Sequence, residues 1–171
     1  MTGHEVRSAQ NVSRMCMVCG VENAAGLQGR FFVLDNGEVA GVFRPRDEHQ
    51  SYPGRLHGGV VSAILDETIG RAINVSDTHT WGVTVEFSVR FRKPVPVDRE
   101  VKAVGRITRD SSRIFEGTGE IVLDDGSIAA EAHGRYLKMS IEQIAAAGFS
   151  DSEWFDDGLP LPDRIDFGAE D

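Results

Sequence analysis

The stretch Leu56-His57-Gly58-Gly59-Val60-Val61-Ser62-Ala63-Ile64-Leu65-Asp66-Glu67 decides how this chain folds. From Gly58 to about Val75, the residues Val60, Val61, Ile64, Leu65, Thr68, Ile69, Ala72 and Ile73 recur at three- and four-residue steps. That spacing draws one apolar stripe along a helix, and no proline interrupts it. Two glycines at the start allow close backbone approach and leave amide groups with no intrahelical acceptor. No other long helical pattern occurs in the chain. The helix is largely apolar and is therefore expected in the core.

Upstream, Leu27–Leu34 and Glu38–Phe43 read as strands joined through Asp35-Asn36-Gly37, because Asn-Gly between apolar runs favours a hairpin. A polar loop with Pro45, Pro53 and Gly54 leads to the helix. Downstream the period falls to two: Val83, Val85, Phe87, Val89 and Phe91 alternate with Thr84, Glu86, Ser88, Arg90 and Arg92 until Pro94 and Pro96 end the strand. Glu100–Arg109, Arg113–Leu123 and Ser127–Met139 predict three more long strands, the last two joined at Asp124-Asp125-Gly126. A short helix is expected over Ile141–Ala147, stopping at Gly148.

Two strands, one buried helix and four antiparallel strands, without βα repeats, define an α+β chain. A long curved antiparallel sheet wrapped around one central helix is the hotdog fold. Its open edge strands call for dimerisation through the sheet.

At 171 residues and 40% hydrophobic, the chain suits one core rather than two. The expected division is a flexible N-terminal arm (1–13), the folded domain (14–148) and an acidic C-terminal tail (149–171). No apolar run approaches the roughly 18 residues that a membrane crossing requires. The first residues are polar and mixed in charge, unlike a secretory segment, so a cytoplasmic protein is expected. Net charge is −9. From Asp151 onward eight acids oppose one base, so −7 falls on the tail and only −2 on residues 1–150. That balance argues against a nucleic-acid partner while leaving room for a local basic site.

Asp66 shares one helix flank with Gly59, Ser62, Ala63 and Gly70, a carboxylate among very small side chains. Partial desolvation there raises a carboxyl pKa and suits a general base or a nucleophile. Glu67 precedes Arg71 by four residues, the order favoured for an ion pair on an exposed helix face. The amides of Gly58 and Gly59, with the positive end of the helix dipole, favour a developing negative charge. His57 is a candidate base or ligand, or a group that orients the loop and a substrate carbonyl. Cys16 and Cys19 supply half of a four-ligand zinc site with no second pair, and packed, reduced thiols are the simpler expectation. No metal and no cofactor is expected.

His-Gly-Gly followed by a helix with an acid nine residues after the histidine resembles the PaaI-like hotdog thioesterases of the 4-hydroxybenzoyl-CoA thioesterase superfamily. Cys16-Met-Val-Cys-Gly-Val-Glu-Asn23, Gly26-Leu27, His49-Gln50-Ser51-Tyr52-Pro53-Gly54, Leu65-Asp66-Glu67-Thr68, Val83-Thr84-Val85 and Arg92-Lys93-Pro94-Val95 also fit, over roughly residues 14–140. The resemblance implies hydrolysis of an acyl-CoA thioester in a pocket between two subunits of a dimer or dimer of dimers. Asp66 matches the catalytic acid, and the Gly58 and Gly59 amides match the oxyanion-binding end. Thr84, from the partner subunit, matches a hydroxyl that holds the attacking water, and Gln50 is the nearest amide for orienting the thioester.

Arg90, Arg92 and Lys93 form the densest basic group. They read either as a solvated strand end or as a contact for the CoA phosphates. A non-catalytic acyl-CoA or acyl-carrier binding protein of the same fold is the alternative reading.

Overall fold

The structure is a computed structural model that describes residues 3–145 and 149–168. The strands are β1 (His4–Ala9), β2 (Val12–Ser13), β3 (Arg30–Leu34), β4 (Val39–Phe43), β5 (Gln50–Tyr52) and β6 (Arg55–Leu56). Helix α1 (Gly58–Gly70) and a 3-10 turn (Arg71–Val75) follow. Then come β7 (Trp81–Phe91), β8 (Val101–Asp110), β9 (Ile114–Val122), β10 (Ile128–Met139), α2 (Ile141–Ile144), β11 (Trp154–Phe155) and β12 (Arg164–Ile165). Eight of the strands form one antiparallel sheet in the order β12-β1-β3-β4-β8-β9-β10-β7. This is the hotdog fold, with α1 laid across one face of the sheet.

The predicted helix is present, but its last turn tightens to 3-10 geometry after Gly70. Val61, Ile64, Leu65 and Ile69 are buried against Phe31, Phe43, Phe115 and Ile121 of the sheet. Each such aliphatic side chain contributes about 1.5–3 kcal/mol when fully removed from water. Close approach depends on glycine. Gly105 of β8 pairs directly with Gly119 of β9, and a Cβ on Gly105 would stand 2.8 Å from the Thr68 carbonyl oxygen.

The strand alternation read from residues 83–91 breaks at Val85. In the β7–β10 ladder Glu86 faces Arg135 and Thr84 faces Tyr136, so Val85 is an extra, unpaired residue. A bulge of this kind shifts the phase of every side chain beyond it. Phe87 and Val89 pack toward the core, and Thr84 turns to the same side instead of joining Glu86, Ser88 and Arg90.

Residues 1–13 were expected to be a loose arm and 149–171 a separate tail. Within both, described residues form strands, and β1 and β12 belong to the main sheet. β1 pairs with β3, and β12 pairs with β1. Ile165 and Phe167 join Phe32, Leu34, Ala40, Val104 and Val122 in a second cluster on the face opposite α1. β11 pairs with β2, and Asp157 binds Arg30 with two hydrogen bonds of 2.7 and 3.1 Å. Only Val6 and Ala9 mark β1 as apolar in the sequence; backbone pairing and a distant segment supply the rest. Of the predicted Ile141–Ala147 helix, Ile141–Ile144 is helical, and positions 146–148, including Gly148, lie outside the described residues.

Candidate functional site

Asp66 emerges from the middle of α1 into a cavity of about 330 Å³ between the helix, β7, β10 and the N-terminal turn. Its Oδ1 accepts from the Thr84 hydroxyl at 2.9 Å. The Tyr136 hydroxyl lies 3.2 Å from the same oxygen and 3.1 Å from the Asp66 carbonyl oxygen. Both donors engage Oδ1, leaving Oδ2 without a side-chain donor among the described residues.

Burial raises the Asp66 pKa above the usual aspartate value. The Thr84 and Tyr136 hydrogen bonds pull it down, and the Glu67 charge adds to the rise. Burial, then the Asp66 charge and hydrogen bond, push the Tyr136 phenol well above its ordinary range, so it stays protonated as a donor. Tyr136 is only 1% exposed and stacks on Phe115 at a centroid distance of 4.8 Å.

Thr84 was expected from a second subunit. Its contact with Asp66 forms within one chain, because the bulge at Val85 turns the hydroxyl toward α1.

The helix start is built by its own residues. His57 caps α1 in an extended conformation, and its Nδ1 accepts the Gly59 amide proton at 2.9 Å. The amide assigned to the oxyanion is therefore held by the adjacent imidazole. Behind it, buried His49 accepts the His57 backbone amide on its carbonyl oxygen and the Arg46 amide on Nδ1, while its Nε2 contacts the Ala25 carbonyl oxygen at 3.0 Å. Gln50 closes the β5–β6 turn by accepting from the Gly54 amide at 3.0 Å. Gly58 faces a second recess, also about 330 Å³, lined by Phe91, Arg92 and Lys93. Within that basic group, Arg92 makes a two-point pair with Glu131, Arg90 stands 3.8 Å from the same acid, and Lys93 stands 4.0 Å from Asp125.

Gly58 and Asp66 are eight residues apart on one helix, which separates them by about 12 Å along its axis. One thioester carbonyl does not span that distance.

Glu67 differs from the expected surface pair. Arg71 is 5% exposed, donates twice to Glu67 Oε1 at 2.9 and 3.0 Å, and donates to the Asn11 carbonyl oxygen. Its guanidinium stacks between Phe31 and Trp154, at 4.0 and 4.7 Å. Glu67 Oε2 accepts from the Cys16 thiol at 3.3 Å. A hydrogen bond from Cys19 lowers the Cys16 pKa to about 7, and the same bond, with burial, raises that of Cys19.

The sequence reading missed Tyr136, Trp81 and Trp154 at this cavity. Tyr136 falls in phase with the buried positions of β10, and its pattern shows only a core aromatic.

A model of the thioesterase superfamily matches residues 53–130, the segment carrying α1, Asp66 and Thr84. This bears out the resemblance read from the motifs. A crystal structure of a thioesterase superfamily protein matches with a TM-score of 0.67 and 28% identity, over 73% of this chain and 64% of that one. The PaaI protein of the phenylacetic acid degradation operon of E. coli matches in fold, with a TM-score of 0.60, 16% identity, and coverage of 67% and 81%. Among characterised sequences, the acyl-coenzyme A thioesterase THEM4 of Bos taurus is 24% identical over 126 residues, which is 72% of this chain. The chain spans about half the length of that relative, 51%.

Proposed function

We propose that this chain hydrolyses an acyl-CoA thioester to free acid and CoA, with Asp66 as the general base. The observation that carries the reading is the Asp66 carboxylate, partly desolvated at a cavity and oriented through one oxygen by Thr84 and Tyr136. Water attacks the carbonyl carbon and passes a proton to Asp66. The tetrahedral intermediate then expels the thiolate, which takes that proton to leave as CoA-SH. Direct attack by the carboxylate, which expels the CoA thiolate (protonated by water) and gives a mixed anhydride that water then opens to the free acid and Asp66, fits the same position.

The negative charge on the carbonyl oxygen requires donors, and the two hydroxyls beside Asp66, Thr84 and Tyr136, already donate to its own carboxylate. The Gly58 and Gly59 amides at the α1 N-terminus fit that role, the latter by exchanging its bond to His57 for one to substrate. The roughly 12 Å along α1 between the two groups favours a site shared by two copies, the helix start of one meeting Asp66 of the other. β7 is a long edge strand of the sheet, with Val85 and Phe91 more than half exposed, which suits pairing of two copies along it. Arg92 and Lys93 flank Gly58 and are suited to the CoA phosphates on the helix-start side. Gln50 closes the β5–β6 turn and Arg90 lines a different surface with Ser88, Glu131 and His133, so neither is kept as a substrate contact in this reading.

A thiol-release assay over acyl-CoA substrates of varied chain length and aromatic acyl groups tests this. Release above background for at least one substrate is expected. Binding of acyl-CoA with no release from any of them would instead identify a non-catalytic carrier of the same fold.

A further inference from the structure

We propose that Cys16, Cys19 and Glu67 form a binding site for a thiophilic divalent ion of the zinc class, in the wall of the Asp66 cavity. The Sγ atoms of both cysteines and a Glu67 carboxylate oxygen lie within 4.8 Å of one another. Ligand atoms around a zinc ion stand roughly 3–4 Å apart, given metal–ligand bonds of about 2.0–2.3 Å. Small side-chain rotations therefore close the site without moving the backbone.

Two independent features prepare the ligands. The Val18 amide donates to Cys16 Sγ at 3.3 Å, and the chain turns back so that the Gly20 amide meets the Cys16 carbonyl oxygen at 2.9 Å. That turn sets the two sulfurs side by side and directs a backbone donor at a thiolate, while a Cβ on Gly20 would meet the Cys16 carbonyl oxygen at 2.3 Å. Glu67 is held by Arg71 through Oε1, which leaves Oε2, the oxygen already facing Cys16, for the ion. Outer partners of this kind fix ligand orientation in metal sites.

Charge also balances. Two thiolates and one carboxylate offset the divalent ion and the buried Arg71 guanidinium. Binding releases the two thiol protons to solvent. Thiolates select zinc-class ions over magnesium or calcium. Cys16, Cys19 and Glu67 all line the cavity, which offers a fourth position to water or a ligand. A filled site would clamp the N-terminal turn onto α1 next to Asp66.

Cobalt(II) titrated into the full chain, kept reduced with a phosphine, is the direct test. The expected result is a thiolate-to-cobalt charge-transfer absorption saturating at one equivalent, displaced by zinc but not magnesium, and lost in Cys16→Ser and in Cys19→Ser. Zinc should also protect both thiols of the wild-type chain from alkylation, a readout that needs no variant to fold. Absence of the charge-transfer band in the wild type, its survival in either cysteine variant, or alkylation unchanged by zinc would each overturn the proposal.

Discussion

The Thr84 hydroxyl donates to Asp66 Oδ1 at 2.9 Å, and both side chains belong to the same chain. The strand that carries Thr84 bulges at Val85, and that single extra residue sets which face of the sheet the hydroxyl occupies. The carboxylate and its donors are thus complete in one copy, whereas the helix-start amides are not within reach.

The acid limb of the rate profile should lie above the range of an ordinary aspartate. Burial raises the Asp66 pKa, and the base must be ionised, so kcat/KM falls as pH drops through that raised value. The Tyr136 hydrogen bond lowers the same pKa. Tyr136→Phe should therefore shift the limb further upward, and a limb that stays in place or moves down would count against the contact.

Asp66→Asn should stabilise the folded chain at neutral pH. A carboxyl whose folded pKa is raised contributes stability below its unfolded value, and that contribution is lost as pH rises through the folded value. At pH 7 the wild type carries the buried charge, while the amide does not and still accepts from Thr84. Denaturant midpoints should therefore be higher for the variant at pH 7, and the gap should close as pH falls.

Glu67→Gln should cost about 3 kcal/mol, because removing one partner leaves the buried Arg71 charge incompletely neutralised. Urea denaturation of both forms measures this, with a loss below about 1 kcal/mol contradicting a structural pair.

Gly58→Pro should remove one amide donor while keeping the helix start, since proline suits the first helical position and His57 is already extended. Turnover should fall about 10²–10³-fold. Mixing this variant with Asp66→Asn after subunit exchange should restore about a quarter of wild-type activity in a two-fold dimer, because one site of each mixed dimer is intact. No recovery, with exchange confirmed by mass, would place both groups in one subunit's site.

Much of this is legible in the sequence because the apolar stripe from Val60 to Ile73 runs unbroken through α1 and the 3-10 turn after it, and because His57-Gly58-Gly59 marks the helix start. Asp66 stood out by its small-residue flank. Thr84 was reached only through the family resemblance, since alternation alone assigns it to the Glu86 face, and a one-residue bulge leaves no mark in composition. Tyr136 and Trp154 were illegible for a different reason. Their contacts with Asp66 and Arg71 join segments 70 and 83 residues apart in the numbering, and each side chain by itself reads as packing. His49 likewise shows its role only once Ala25, Arg46 and His57 surround it.

The central claim is that Asp66 performs the chemistry, and turnover of an acyl-CoA substrate by the wild type, Asp66→Asn and Glu67→Gln tests it most directly. Asp66→Asn should lose about 10²-fold or more in kcat with its fold intact, as removal of a general base requires. Glu67→Gln, where folded, should retain most of its rate. Full activity in Asp66→Asn together with loss in folded Glu67→Gln would contradict the account.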